Sequence, residues 1–192
     1  PYPALRSTAA AALAAIGAEE AVPALARMAR DRRQPESVRR AAIVALHPFP
    51  GPASHSTVME LLGRERGALR MTAAMSAGVL KPEGGVPALA TILRNRGEHA
   101  DLRRIAAVAL GEYGGQAAAD AIVAVLMDDT ERRIETTIIN GTTTVHDHYV
   151  LWESALWASR ALPLPDSLLP RLETWLDNEW YPVHFHRQVP RA

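Results

Sequence analysis

The chain contains no cysteine. That excludes a disulfide framework, a cysteine nucleophile and any zinc site built on thiolates. Aromatic residues are scarce, at 5% of 192 positions, and lysine occurs once, at Lys81, among 21 basic residues. A sheet core rich in aromatic and β-branched side chains is therefore not expected. The apolar fraction of 48% is carried by Ala, Leu and Val, which suits closely packed helices and is too high for a disordered chain. No stretch approaches the roughly 18 uninterrupted apolar residues of a membrane span. The opening PYPALRSTAA lacks the basic region and apolar core of a secretory signal. A cytoplasmic protein with no membrane association is the expectation. The first residue is not Met, so a piece of a longer polypeptide is one reading.

Formal charge sums to zero but is polarised. Residues 1–104 hold 15 Lys and Arg against 9 Asp and Glu, and residues 105–192 hold 6 against 12. Such asymmetry bears on the choice of partner more than on the fold.

What is present is a repeat. The segments LRSTAAAALAAIG, VRRAAIVALHPFP, LRMTAAMSAGVL and LRRIAAVALGEYG begin at Leu5, Val38, Leu69 and Leu102, which are 33, 31 and 33 residues apart. A second anchor set, Leu25, Val58, Leu89 and Ile122, repeats the same spacings. Each unit reads as helix, short turn, helix. Pro23 and Pro87 fall in first turns, where a missing N–H is harmless. Ser37 and Asp101 precede expected helix starts and suit N-caps. In repeat two, HPFPGPASH from His47 replaces the usual glycine turn with three prolines, and a local bend is the simplest consequence.

These segments, above all AVPALARMARDRRQPESVRRAAIVAL and GVPALATILRNRGEHADLRRIAAVALGEYG, resemble HEAT repeats of the bacterial kind called PBS-lyase-like, over about residues 2–130. A fifth, degenerate pair follows in YVLWESALWASRAL and SLLPRLETWLDNEW. The expected fold is all-α: a right-handed α-solenoid of about five HEAT-like helix pairs, with a β-hairpin insertion in the last repeat. The repeats run at about 2–34, 35–66, 67–98, 99–130 and 148–178, with the insertion at 131–147 and a tail at 179–192. In similar repeats the recurring arginine, here Arg6, Arg39, Arg70 and Arg103, bonds to a carboxylate or carbonyl of the adjacent repeat. Glu36 and Asp101, just upstream, are candidate partners, and a phosphate-binding ladder is the weaker reading.

The hairpin expectation rests on RIETTIINGTTTVHDHYV, where Asn140-Gly141 separates two β-branched runs. The fifth first helix starts near Val150, 48 residues after Leu102, so about 15 residues are extra. Glu135 to Ile139 would pair with Thr142 to His146, and the alternating tail near Val183 and Phe185 would supply a third strand. Insertions of this kind map to one face, often the binding face. A four-histidine metal site from His146, His148, His184 and His186 is conceivable on imidazole chemistry, but a polar, partner-facing patch is the preferred reading. Trp152, Trp157, Trp175 and Trp180 cluster late, as caps of the array or contacts.

No catalytic motif stands out: there is no glycine-rich phosphate loop, no G-x-S-x-G and no H-E-x-x-H. Bilin lyases and alkylpurine DNA glycosylases exist among similar repeats, but nothing here specifies a bilin site, and the Trp and Asp residues sit in the acidic half. The expectation is a non-enzymatic scaffold or adaptor with no cofactor. Its partner would be another protein or another domain of the same polypeptide, with the oligomeric state open. The resemblance puts second helices on the concave surface, which nominates Arg27, Arg30, Arg94 and Arg96 at the basic end and Asp120 and Asp128 at the acidic end. Ile138, Asn140, Thr143 and His146 on the hairpin and Trp152 complete the contact set. A nucleic-acid-associated role through the Arg-rich half is the alternative, and a lyase- or glycosylase-like enzyme the third reading.

Overall fold

The structure is a computed structural model and describes residues 2–128, 135–139, 142–146, 148–160 and 162–176. Ten α-helices are found among them. They are α1 (Pro3–Ala15), α2 (Val22–Arg30), α3 (Glu36–Ala45), α4 (Pro52–Arg64), α5 (Gly67–Leu80), α6 (Gly85–Arg94), α7 (Ala100–Tyr113), α8 (Gln116–Leu126), α9 (His148–Ser159) and α10 (Leu169–Leu176). Odd-numbered helices stack on one another in order, α1 on α3, α3 on α5, α5 on α7 and α7 on α9, while even-numbered helices form a second layer. The result is a two-layer helical solenoid in which each pair touches mainly its neighbours.

The core runs between the layers. One cluster joins Ala10, Leu25, Leu46 and Phe49 in the first two repeats, and a larger one continues from Ala29 through Leu89, Leu110 and Ile122 to Leu168. Helix starts follow the local chemistry: Pro3 and Pro52 sit in first turns. The capping expectation is corrected, because Ser37 lies inside α3 after Pro35 as cap, and α7 is capped by His99, whose ring accepts the Asp101 N–H at 3.2 Å.

Close approach of successive first helices depends on glycine. A Cβ built on Gly78 would lie 2.9 Å from Ala109 Cα, and one on Gly111 would lie 2.9 Å from Ala158 Cα. Gly78 and Gly111 hold the same place, nine residues after Leu69 and Leu102, and Ala109 is seven after Leu102. Ala158 therefore sets the fifth helix in register on Leu151, one residue beyond the expected start. In repeat two the equivalent residue is His47, whose Nε2 meets Ser76 Oγ at 2.8 Å. The α3–α5 stack is thus bridged by a polar pair where the later stacks have bare backbone. Burial holds the His47 pKa below its ordinary value.

The hairpin expectation needs correction. Glu135–Ile139 (β1) and Thr142–His146 (β2) run antiparallel, with Ile138 opposite Thr143, but the sheet they form has two strands only. Among the described residues the one extensive partner of each strand is the other, whereas the remaining extensive packing joins helix to helix. Helix α9 stacks on α7 and α8 directly, so the fifth first helix takes its place without the strands. Among the described residues the stacked array is built from helices, and a hairpin insertion as a part of its last repeat is not supported. Among the described residues the ribbon has no third strand and no extensively packed face, and such a ribbon is marginal as a structural element. The Asn140-Gly141 turn and the proposed third strand at 183–186 lie outside the described residues.

Among the described residues no helix is long and apolar enough to cross a membrane.

Candidate functional site

The recurring arginines belong to the stacking. Arg39 Nε donates to the Ala29 carbonyl at 2.9 Å, Arg70 Nε to that of Leu62 at 3.0 Å and Arg103 Nε to that of Leu93 at 2.9 Å. Each carbonyl lies four residues after the anchor of the preceding second helix, where helix ends leave such groups open. A second edge of the guanidinium reaches forward: Arg39 to Glu65, Arg70 to Glu98 and Arg6 to Gln34. The partners are thus 26 to 28 residues downstream. Glu36 and Asp101, the expected partners, do not serve, and Asp101 instead faces Arg104 at 3.2 Å.

The same economy builds a cleft where α2 and α4 end. Helix α4 buries Val58, Leu61 and Leu62 and turns Glu60 and Arg64, one helical turn apart, outward. After α2, the Asp31 carboxylate holds the next turn by accepting from the Arg33 N–H and Gln34 Nε2, both at 3.0 Å. The Gln34 bond is the main reason the Asp31 carboxyl lies below its ordinary pKa. The cleft, of about 340 Å³, is lined by Arg30, Arg32, Glu60, Leu61, Arg64 and Glu65.

Its two carboxylates are already engaged. Glu60 accepts from Arg30 Nε at 2.7 Å and Arg64 Nη1 at 2.9 Å, and Glu65 accepts from buried Arg39 at 2.6 Å. Hydrogen bonds from Arg30 and from Arg39, respectively, hold the Glu60 and Glu65 carboxyls below their ordinary value of 4.5. Arg32 and Arg64 retain unused donors. Arg32 approaches Glu65 only to 3.7 Å, and the two side chains are 72% and 71% exposed. Two guanidinium forks at the rim of a cleft suit a carboxylate or phosphate group.

The depressed carboxylates have a consequence for stability. A group whose folded pKa is lowered contributes stability above its unfolded pKa and loses it as pH falls through the folded value. The thermal midpoint is expected to hold from neutral pH down to about 5 and to fall below about 4.5. Glu65→Gln should flatten that fall while lowering the midpoint at neutral pH. A pH series of thermal melts checks both.

The nominated residues divide. Arg27 and Arg94 are exposed on α2 and α6. Arg30 lines the cleft and is bound to Glu60. Arg96 and Asp128, assigned to opposite ends, meet each other at 2.6 Å. Asp120 is exposed and accepts from Gln116 at 2.8 Å. Ile138 and Thr143 face across the ribbon, and Trp152 lies in α9. His146 ends β2 and His148 opens α9, so the two do not share one strand; His184, His186, Trp180 and Asn140 lie outside the described residues. Among the described residues no three His, Asp or Glu side chains are grouped to hold a metal ion. Sequence reasoning missed Arg32, Glu60, Arg64 and Glu65. For Glu65 the usable signal was the acid 26 to 28 residues after Arg39 and Arg70.

A stacked array of short helix pairs tied by a periodic arginine defines an α-solenoid repeat protein. The profile of HEAT repeats matches residues 1–76 and 56–140, and the chain belongs to the HEAT-repeat family. No curated protein sequence matches it. Among solved structures it is similar to human deoxyhypusine hydroxylase in complex with glycerol, at 26% identity and a TM-score of 0.55, over 71% of this chain and 41% of that one. The chain therefore spans about two-fifths of the hydroxylase's length. This likeness corrects the expectation of a non-enzyme. The missing catalytic motifs had carried that expectation, yet the similar structure is that of a hydroxylase, so the lack of a short motif does not exclude an enzyme.

Proposed function

We propose that this HEAT-repeat chain binds an acidic segment of a partner protein in the cleft between the ends of α2 and α4. The observation that carries the reading is the pair of exposed guanidinium groups of Arg32 and Arg64 above carboxylates already bound by Arg30 and Arg39. The surplus of basic residues in the first 104 positions draws such a segment to this half of the molecule. A protein partner is favoured over a nucleic-acid backbone because the chain is neutral overall and holds a single lysine.

The test is fluorescence anisotropy with a labelled poly-glutamate peptide. Arg32→Glu with Arg64→Glu is expected to weaken binding at least about tenfold, worth about 1.4 kcal/mol. The thermal midpoint should move little, since exposed pairs contribute about 0–1 kcal/mol. Equal binding by the variant would defeat the reading, and salt-sensitive binding of a single-stranded DNA oligomer in place of the peptide would favour nucleic acid.

The likeness to deoxyhypusine hydroxylase favours a second reading, that the chain forms all or part of an enzyme acting on deoxyhypusine. Incubation with a deoxyhypusine-bearing protein and mass spectrometry for the gain of one oxygen atom tests it.

A further inference from the structure

The outer face of α1 carries Leu5, Ala9, Ala12 and Ile16, spaced four, three and four apart, so they form one stripe. In repeats two, three and four the counterparts of Leu5, namely Val38, Leu69 and Leu102, are buried, and so are Phe49 and Leu80, the counterparts of Ile16 in repeats two and three. The preceding repeat covers this face: Gly78 lies against Ala109, and His47 against Ser76, the latter of each pair being a counterpart of Ala12. In repeat one, Leu5 is 67% and Ile16 75% exposed. The capping faces of repeat arrays are ordinarily polar, whereas this face is apolar.

A hydrogen bond points the same way. The next three ladder arginines give their Nε to a carbonyl of the preceding second helix. Arg6 reaches Gln34 alone among the described residues, and its Nε has no such carbonyl. The stripe and the guanidinium edge together reproduce half of the inter-repeat interface seen three times within the chain.

We propose that this face docks one further HEAT-type helix pair, stacked in the direction of the chain's own repeats. Its first helix would place a small residue opposite Ala12 and aliphatic side chains over Leu5 and Ile16. Its second helix would end with an open carbonyl for Arg6. A second copy packed α1 against α1 would cover the stripe but supply no such carbonyl.

The test compares the full chain with a fusion carrying a copy of residues 67–97 ahead of Pro1, which sets the copied Leu69 33 residues before Leu5. The copy brings a glycine opposite Ala12 and the carbonyl of its own Leu93. The fusion is expected to melt several degrees above the full chain. Leu5→Glu should shift the full chain by about a degree or less, as exposed substitutions do, and the fusion by several degrees. An added repeat that melts apart from the rest, or a Leu5→Glu effect equal in both proteins, overturns the proposal. Sedimentation is expected to show the full chain as a monomer. A dimer abolished by Leu5→Glu would assign the face to a second copy instead and overturn it equally.

Discussion

Gly78→Val is expected to lower the thermal midpoint by about 6–12 °C, through a loss of about 3 kcal/mol. Two effects oppose each other at a helical glycine. A side chain removes backbone freedom from the unfolded chain and favours the helix by about 1 kcal/mol. Here the new Cβ would stand 2.9 Å from Ala109 Cα and 3.0 Å from its Cβ. Backbone atoms cannot rotate aside, so α5 and α7 must separate, and overpacking costs about 1–3 kcal/mol even for small additions. Valine's branches push the balance well to the unfavourable side. Because the array is nearly one-dimensional, the loss falls on one interface, and the unfolding curve should broaden as the two halves uncouple. Gly63→Ala is the contrast. No atom lies within 4 Å of its Cβ position, so only the helix gain remains, and a rise of up to about 1 kcal/mol is expected. Circular dichroism melts of the two variants decide the point. A Gly78→Val protein as stable as the parent would mean the stacks do not approach as closely as described.

Arg39→Met is expected to cost about 3–5 kcal/mol. Its side chain is 6% exposed and ties two elements at once, the Ala29 carbonyl at 2.9 Å and the Glu65 carboxylate at 2.6 Å. Removing it leaves a shielded carboxylate and a helix-end carbonyl without their main partner, and that uncompensated desolvation sets the magnitude. Arg32→Ala touches the same Glu65 from 3.7 Å with an exposed side chain, and an effect near zero is expected. Urea titrations of both separate a stacking arginine from a surface one. Equal effects would contradict the division of roles.

That division explains what was legible beforehand. The anchors at Val38, Leu69 and Leu102 were readable because burial repeats at fixed spacing, and burial of aliphatic side chains at one helix face is what periodicity records; Leu5 keeps the spacing but is exposed. The stacking role of the ladder arginines was implied by the resemblance to HEAT repeats. Their partners were not, since Glu65 and Glu98 lie at the far end of the same helix pair, 26 and 28 residues away. Arg96 and Asp128 were nominated as separate contact residues, but adjacent repeats bring them within 2.6 Å. The cleft was invisible for the same reason: it exists only where two second helices end side by side. The Asn-Gly pattern led to a hairpin expectation between α8 and α9, but propensity for a ribbon does not supply the packed face that would make it part of a solenoid. The absence of short catalytic motifs misled most, because a repeat array gathers distant residues onto one surface without any contiguous signature.

The measurement that bears most directly on the account is hydrogen–deuterium exchange of the chain with and without the poly-glutamate peptide. The account predicts slowed exchange confined to the ends of α2 and α4 and the turn at Asp31 to Gln34, lost in the Arg32→Glu, Arg64→Glu variant. Protection centred on α6 and α8, or no protection at peptide concentrations that saturate binding, would contradict it.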